Sequence, residues 1–146
     1  MKSLFHTPDY REIRERLSRL TADDTPQWGK MTVGQMVWHC QFPLRVAVEN
    51  KPVTRKPGLL GRLFKASMYS DKPWRKNLPT APALKAREPK DFDTEFPRLM
   101  EWVEACYGVR DRETWNPHPM FGRLTGEQWG KMEFKHLDHH LRQFGR

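Results

Sequence analysis

The chain has 146 residues and a formal charge of +8 at neutral pH. That length suits one domain, large enough to bury a core without disulfides or structural metal. Two cysteines, Cys40 and Cys106, make no disulfide framework; no apolar run approaches membrane-spanning length; and Met1 to Pro8 lack the apolar core of a secretion signal. A soluble, cytoplasmic protein with no transmembrane segment is therefore expected.

The charge is uneven. Between residues 51 and 76 stand Lys51, Arg55, Lys56, Arg62, Lys65, Lys72, Arg75 and Lys76 against the single acid Asp71, a balance of +7 out of +8. The rest of the chain is close to neutral, which argues against a whole-domain nucleic-acid binder. An anionic-surface role, toward nucleic acid or membrane, would have to reside in residues 51–76, and a solvated basic face is the simpler reading.

In chain order, Thr7-Pro8-Asp9 predicts a helix start with Thr7 as the cap. Tyr10, Ile13, Leu17 and Leu20 supply its apolar stripe. Thr21 to Lys30 reads as a polar loop. Thr32 and Gln35 have capping-box spacing, which predicts a second helix from Val33 to Val48. His39 falls on its buried side with Gln35, Met36, Cys40, Phe42, Val46 and Ala47. Pro43 removes a bond to the His39 carbonyl and crowds it, so a kink is expected there.

Gln27-Trp28-Gly29-Lys30-Met31 recurs as Gln128 to Met132, an offset of 101 that also carries His39 onto His140. The capping registers of the two copies differ, so no duplicated fold is inferred. From Lys51 to Glu88 prolines punctuate an irregular stretch. Within it Leu59, Leu60, Leu63, Phe64 and Met68 share one helical face. A membrane-surface helix, a lid, or a short helix covering one end of the bundle would each use such a face, and the last is expected. Leu78 to Pro89 is expected to be an extended crossover.

A third long helix is predicted from Asp91 to Tyr107, with Phe92, Phe96, Leu99, Val103 and Cys106 as its stripe and Gly108 as its stop. Pro97 belongs either to a late-starting first turn or to a bend. Trp115 to Gly122 is turn-rich, and His118, between two prolines, is a candidate for the rim of a site. No strand pattern of useful length occurs. Four amphipathic helices with one long crossover predict an all-α four-helix bundle.

The last helix, Thr125 to Phe144, carries the most chemistry. Thr125 and Gln128 form a second capping-box pattern, and Phe134, Leu137, Leu141 and Phe144 form a stripe. At about 100° per residue, His136 lies about 40° from His140, and Trp129, Glu133 and Gln143 lie within about 60°. Lys131, Lys135, Asp138 and Arg142 take the opposite face, and Asp138 is expected in solvent. Histidines four residues apart on one face are able to hold one metal ion. Burying a Glu, two His and a Gln without partners would be costly, which favours the metal reading over inert core histidines.

His39 on the second long helix, with His136, His140 and Gln143 near the C-terminus, resembles the DinB/YfiT-like superfamily. The stretches His118 to Gly122 and His136 to Gln143 look like an uncharacterised branch of it, a set of domains of unknown function. The resemblance covers nearly the whole chain. It implies an up-down-down-up four-helix bundle and one divalent metal on His39, His136 and His140; zinc or nickel is the ion expected at such a site. Some characterised relatives are transferases or isomerases that use a low-molecular-weight thiol. The basic insert between the second and third helices departs from some relatives, so the substrate does not carry over.

Three imidazoles leave a divalent ion with open positions, as catalytic sites do. Such an ion lowers the pKa of water or of a thiol, which leads to hydrolysis or thiol transfer. Glu133, one turn before His136, is the candidate ligand, orienting group or general base. Glu-x-x-His also occurs in di-iron bundles, but helix two offers Gln35 rather than Glu beside His39. Gln35, Trp129, Gln143 and His118 are the remaining pocket candidates. The expected partner is a small-molecule substrate rather than nucleic acid; a homodimer is compatible with the chain, as is a non-catalytic metal- or ligand-binding module.

Overall fold

A computed structural model describes residues 1–54, 56–79 and 82–146. Arg55 of the basic segment, Thr80 and Ala81 of the crossover, and the side chains of Leu60 and Ala83 lie outside the described residues. Among the described residues five α-helices form: α1 (Thr7–Ser18), α2 (Val33–Glu49), α3 (Leu59–Met68), α4 (Phe92–Gly108) and α5 (Gly126–Gln143). Among the described residues there is no strand, only an isolated bridge between His118 and Gly122. No described helix is long and apolar enough to cross a membrane.

The helix starts follow local chemistry. Both capping boxes form: Thr32 with Gln35 on α2, and Thr125 with Gln128 on α5. Asp91 caps α4 through the Thr94 amide. Thr7 differs from the expectation. His6 holds the cap position, and the Thr7 hydroxyl instead pairs with the Tyr107 hydroxyl at 2.7 Å. Pro8 still opens the helix, because a first-turn residue has no intrahelical N–H bond to lose.

Helix α2 packs chiefly on α4, while α5 lies against α1 and α2. Ile13, Leu17, Val37, Leu44, Leu99, Val103, Leu137 and Leu141 meet at their junction with almost no exposure. Each such side chain contributes roughly 1.5–3 kcal/mol by leaving water. Helix α2 continues through Pro43, and α4 through Pro97, which sits well inside the helix rather than in a late first turn. Phe42, expected on the buried side of α2, is exposed beneath the Arg45 guanidinium.

The outer face of α5 is also less open than its wheel predicts. Lys135 is 5% exposed. The last turn of α3 and the residues after it cover Lys135, whose ammonium donates to the carbonyls of Ser67 at 2.6 Å and Ser70 at 2.9 Å. Asp138, expected in solvent, is 25% exposed and is gripped by Arg16 at 2.8 Å and Arg142 at 2.9 Å. The crossover is not simply extended: Pro82–Leu84 makes a 3-10 turn. That turn directs a carbonyl at His39.

Candidate metal centre

One imidazole from α2 and two from α5 meet at one end of the bundle. His39, His136 and His140 each offer a ring nitrogen, and these three atoms lie within 4.8 Å of one another. They form the only group of three or more His, Cys, Asp or Glu side chains with such spacing among the described residues. The two α5 histidines are one turn apart on the same face, and α2 crosses so that His39 faces them.

Hydrogen bonds set the tautomers. His39 Nδ1 donates to the Leu84 carbonyl at 3.0 Å, leaving its Nε2 as a lone pair. His140 Nδ1 donates to Gln143 Oε1 at 2.8 Å, leaving its Nε2 free in the same way. Gln143 is itself held, donating from Nε2 to the Trp28 carbonyl at 2.9 Å. Such outer bonds orient metal-binding imidazoles and raise their basicity. His39 Nε2 and His136 Nε2 stand 3.0 Å apart. Two bare lone pairs repel at that separation, so a proton on one or a shared cation must lie between them. His136 Nδ1 is buried without a partner.

Burial keeps all three rings uncharged. It lowers His39 below the usual imidazole range, partly offset by the Leu84 bond. It pushes His136 well below that range, with the neighbouring histidines adding to the effect, and His140 down to about 3. Neutral imidazole is the form that ligates a metal, so protons compete weakly for these nitrogens at neutral pH. The donor set therefore fits a divalent ion such as zinc or nickel, three nitrogens being the protein share of many catalytic zinc sites.

The remaining candidates divide. Gln143 stands directly behind His140. Gln35 stands one turn before His39 but spends its amide elsewhere: Oε1 closes the α2 capping box, and Nε2 donates to the Glu88 carbonyl at 3.2 Å. It ties the crossover to the same helix that carries His39. Trp129 is fully buried at the start of α5, stacked on Trp115 at 5.4 Å and beside His118 at 5.1 Å. Eleven residues of helix, about 16 Å of rise, separate Trp129 from His140. His118 Nδ1 accepts from the Met120 and Phe121 amides, so His118 organises its own turn and does not border the imidazoles.

Glu133 does not join the donor group. It is wholly buried, neither carboxylate oxygen has a hydrogen-bond partner, and burial raises its pKa to about 8. Its charge also raises the pKa of the Cys40 and Cys106 thiols, after burial, which places it toward the α2–α4 side.

Three contributors had no sequence signal. Leu84 acts through its carbonyl, which no side-chain pattern reports. Trp74 comes from the irregular segment and stands over His136 at 5.9 Å and His139 at 5.6 Å between ring centres. Its indole donates to the Ser67 carbonyl, the atom Lys135 also holds. The third is Trp28, in the first copy of the repeated pentapeptide. Gly29 beside it has φ +80°, and a Cβ there would meet Gln143 Nε2 at 2.8 Å. Glycine is what lets the loop approach closely enough to hold Gln143.

No curated protein and no solved structure matches the chain. A family model described as "Protein of unknown function (DUF1569)" matches residues 2–146, and the chain belongs to that family.

Proposed function

We propose that this protein is a mononuclear divalent-metal enzyme of the DinB-like kind, acting on a small molecule by hydrolysis or by transfer to a low-molecular-weight thiol. His39, His136 and His140 are the proposed ligands, and zinc or nickel the ion. The observation that carries this reading is the convergence of three uncharged ring nitrogens, two of them oriented by bonds at the opposite ring atom. A divalent ion held by three protein ligands keeps open positions at which the pKa of water or a thiol falls toward neutrality. In this chain Leu84 fixes the His39 ring and Gln143 the His140 ring, Trp28 fixes Gln143, and Trp74 stands beside His136.

Glu133 favours a second reading. The carboxyl that would serve as general base stands apart from the donor nitrogens, as suits a module that binds a metal or small ligand without turnover. Elemental analysis of protein purified without a histidine tag or chelator tests what both readings share. About one equivalent of metal per chain is expected, as for other three-ligand sites, and His136→Ala should abolish it. Equal metal in both proteins would sink the site. Incubating the metal-loaded protein with thiols and electrophiles, or with hydrolysable esters and amides, then separates the readings: turnover lost in His140→Ala supports an enzyme, and binding without turnover supports the module.

A further inference from the structure

Helix α3 presents an apolar face that the rest of the chain does not cover. Leu59 is 72% exposed, Leu63 68% and Phe64 54%. At about 100° per residue these three lie within an arc of about 140°, and Met68 and Gly61 follow about 40° and 60° beyond Phe64, where the helix turns onto the rest of the chain. The packed side is defined by contact: a Cβ on Gly61 would meet the Met120 carbonyl at 2.0 Å, and Met68 reaches the core. Only glycine allows that approach, so the orientation of α3 is set by the backbone beneath it. The sequence grouped Met68 with the three exposed residues; the structure turns Met68 inward and leaves the others in solvent. Met120, next to Gly61, is also exposed.

Cations border this face. A cleft of about 610 Å³ between α3 and the 117–123 turn carries Lys56, Arg62, Lys65 and Arg123 on walls otherwise made by uncharged residues such as Val53, Pro57 and Phe121. Lys65 donates to the Arg123 carbonyl, which holds one wall of the cleft to the other. Lys72, Arg75 and Lys76 add positive charge along the same segment, with Asp71 as the single acid between residues 51 and 76, while Lys51 is paired with Glu49 at 2.8 Å. Apolar side chains projecting from a short helix, with cations lining the cleft beside it, match the layered chemistry of an anionic bilayer: acyl chains below, phosphates above. A nucleic-acid backbone accounts for the cations but leaves three large apolar side chains in water.

We propose that α3 docks this protein on anionic phospholipid membranes, with Leu59, Leu63 and Phe64 entering the interface and the Lys56–Arg62–Arg123 cleft receiving lipid phosphate. The docking face is separate from the imidazole cluster and does not depend on metal.

The test is flotation of the full chain with phosphatidylcholine vesicles and with vesicles containing 30% phosphatidylglycerol, a composition of roughly the anionic fraction that polybasic segments sense. Binding is expected to the anionic vesicles alone and to weaken as salt rises. Phe64→Asp, whose circular dichroism should match the parent because the site is exposed, should lower binding about tenfold or more. Arg62→Glu should do the same at low salt. Absence of binding to anionic vesicles at low salt overturns the proposal, as does full binding by Phe64→Asp. Duplex DNA or RNA binding that Phe64→Asp leaves unchanged, without vesicle binding, would assign the cations to nucleic acid. A self-associated species that Phe64→Asp dissociates would assign the face to a second copy of the chain. Either outcome also overturns the proposal.

Discussion

At the imidazole end of the molecule, polar side chains are buried and most are held by hydrogen bonds, His136 Nδ1 being left without a partner; on α3, apolar side chains face solvent and the cations stand together at the margin. The first arrangement needs many compensating contacts, because a buried polar group without partners is expensive. His39, His140 and Gln143 have them. The second needs few, because lysine and arginine remain hydrated and exposed leucines cost little in the free chain. A region that carries its own compensation reads as a built site. A region that leaves apolar surface uncompensated reads as one completed from outside.

Removing a ligand should produce the largest difference between the two. His39→Ala should reduce bound metal to near zero by elemental analysis, whereas His118→Ala, at the other end of α5, should retain it. Equal loss in both would mean that the fold, rather than three nitrogens, holds the ion. Leucines provide the next contrast. Leu137→Ala, in the core, should cost about 2–5 kcal/mol in urea denaturation. Gln143→Ala should leave the fold intact and weaken metal binding roughly 10–100-fold in chelator competition, as loss of an outer partner usually does. Gly29→Ala should act in the same direction by displacing Gln143.

Glu133 supplies a pH test. Its folded-state pKa of about 8 lies above the ordinary carboxyl value of 4.5, so the folded chain holds a proton that the unfolded chain releases. That contribution to stability is complete below about pH 4.5 and is lost as pH rises through 8, with a slope approaching 1.4 kcal/mol per pH unit. Glu133→Gln should therefore gain stability relative to the parent between those pH values, measured by urea titration at each pH. The buried imidazoles act with the opposite sign. Their lowered pKa values mean that stability falls as pH drops below 6.5, where the unfolded histidines bind protons first. The smallest effect belongs to α3: Leu63→Ala should change stability by no more than about 0.5 kcal/mol, since the side chain is largely in solvent. A larger loss would show that α3 packs more firmly than its exposure indicates.

Much of the helical framework was legible in the residues. Capping boxes at Thr32 and Thr125 are local hydrogen-bond patterns, and the stripes of α1, α4 and α5 repeat at the helical period, so both could be found without tertiary information. The pairing of His136 with His140 is likewise a property of one helix. The Thr7 cap failed because a distant hydroxyl, on Tyr107, took the side chain that a local rule assigned to the helix start.

What the residues alone determined is which groups share a helix face, because 3.6 residues per turn is an intrinsic geometry. Tertiary structure decided which of those faces meet. It brought His39 to the α5 histidines, sent Glu133 toward two thiols, and covered Lys135 with the end of α3 and the residues after it. It also recruited the Leu84 and Trp28 carbonyls, whose role depends on where the chain crosses rather than on what side chains it carries. Long-range placement is set by packing between elements, and no periodicity within one element encodes it.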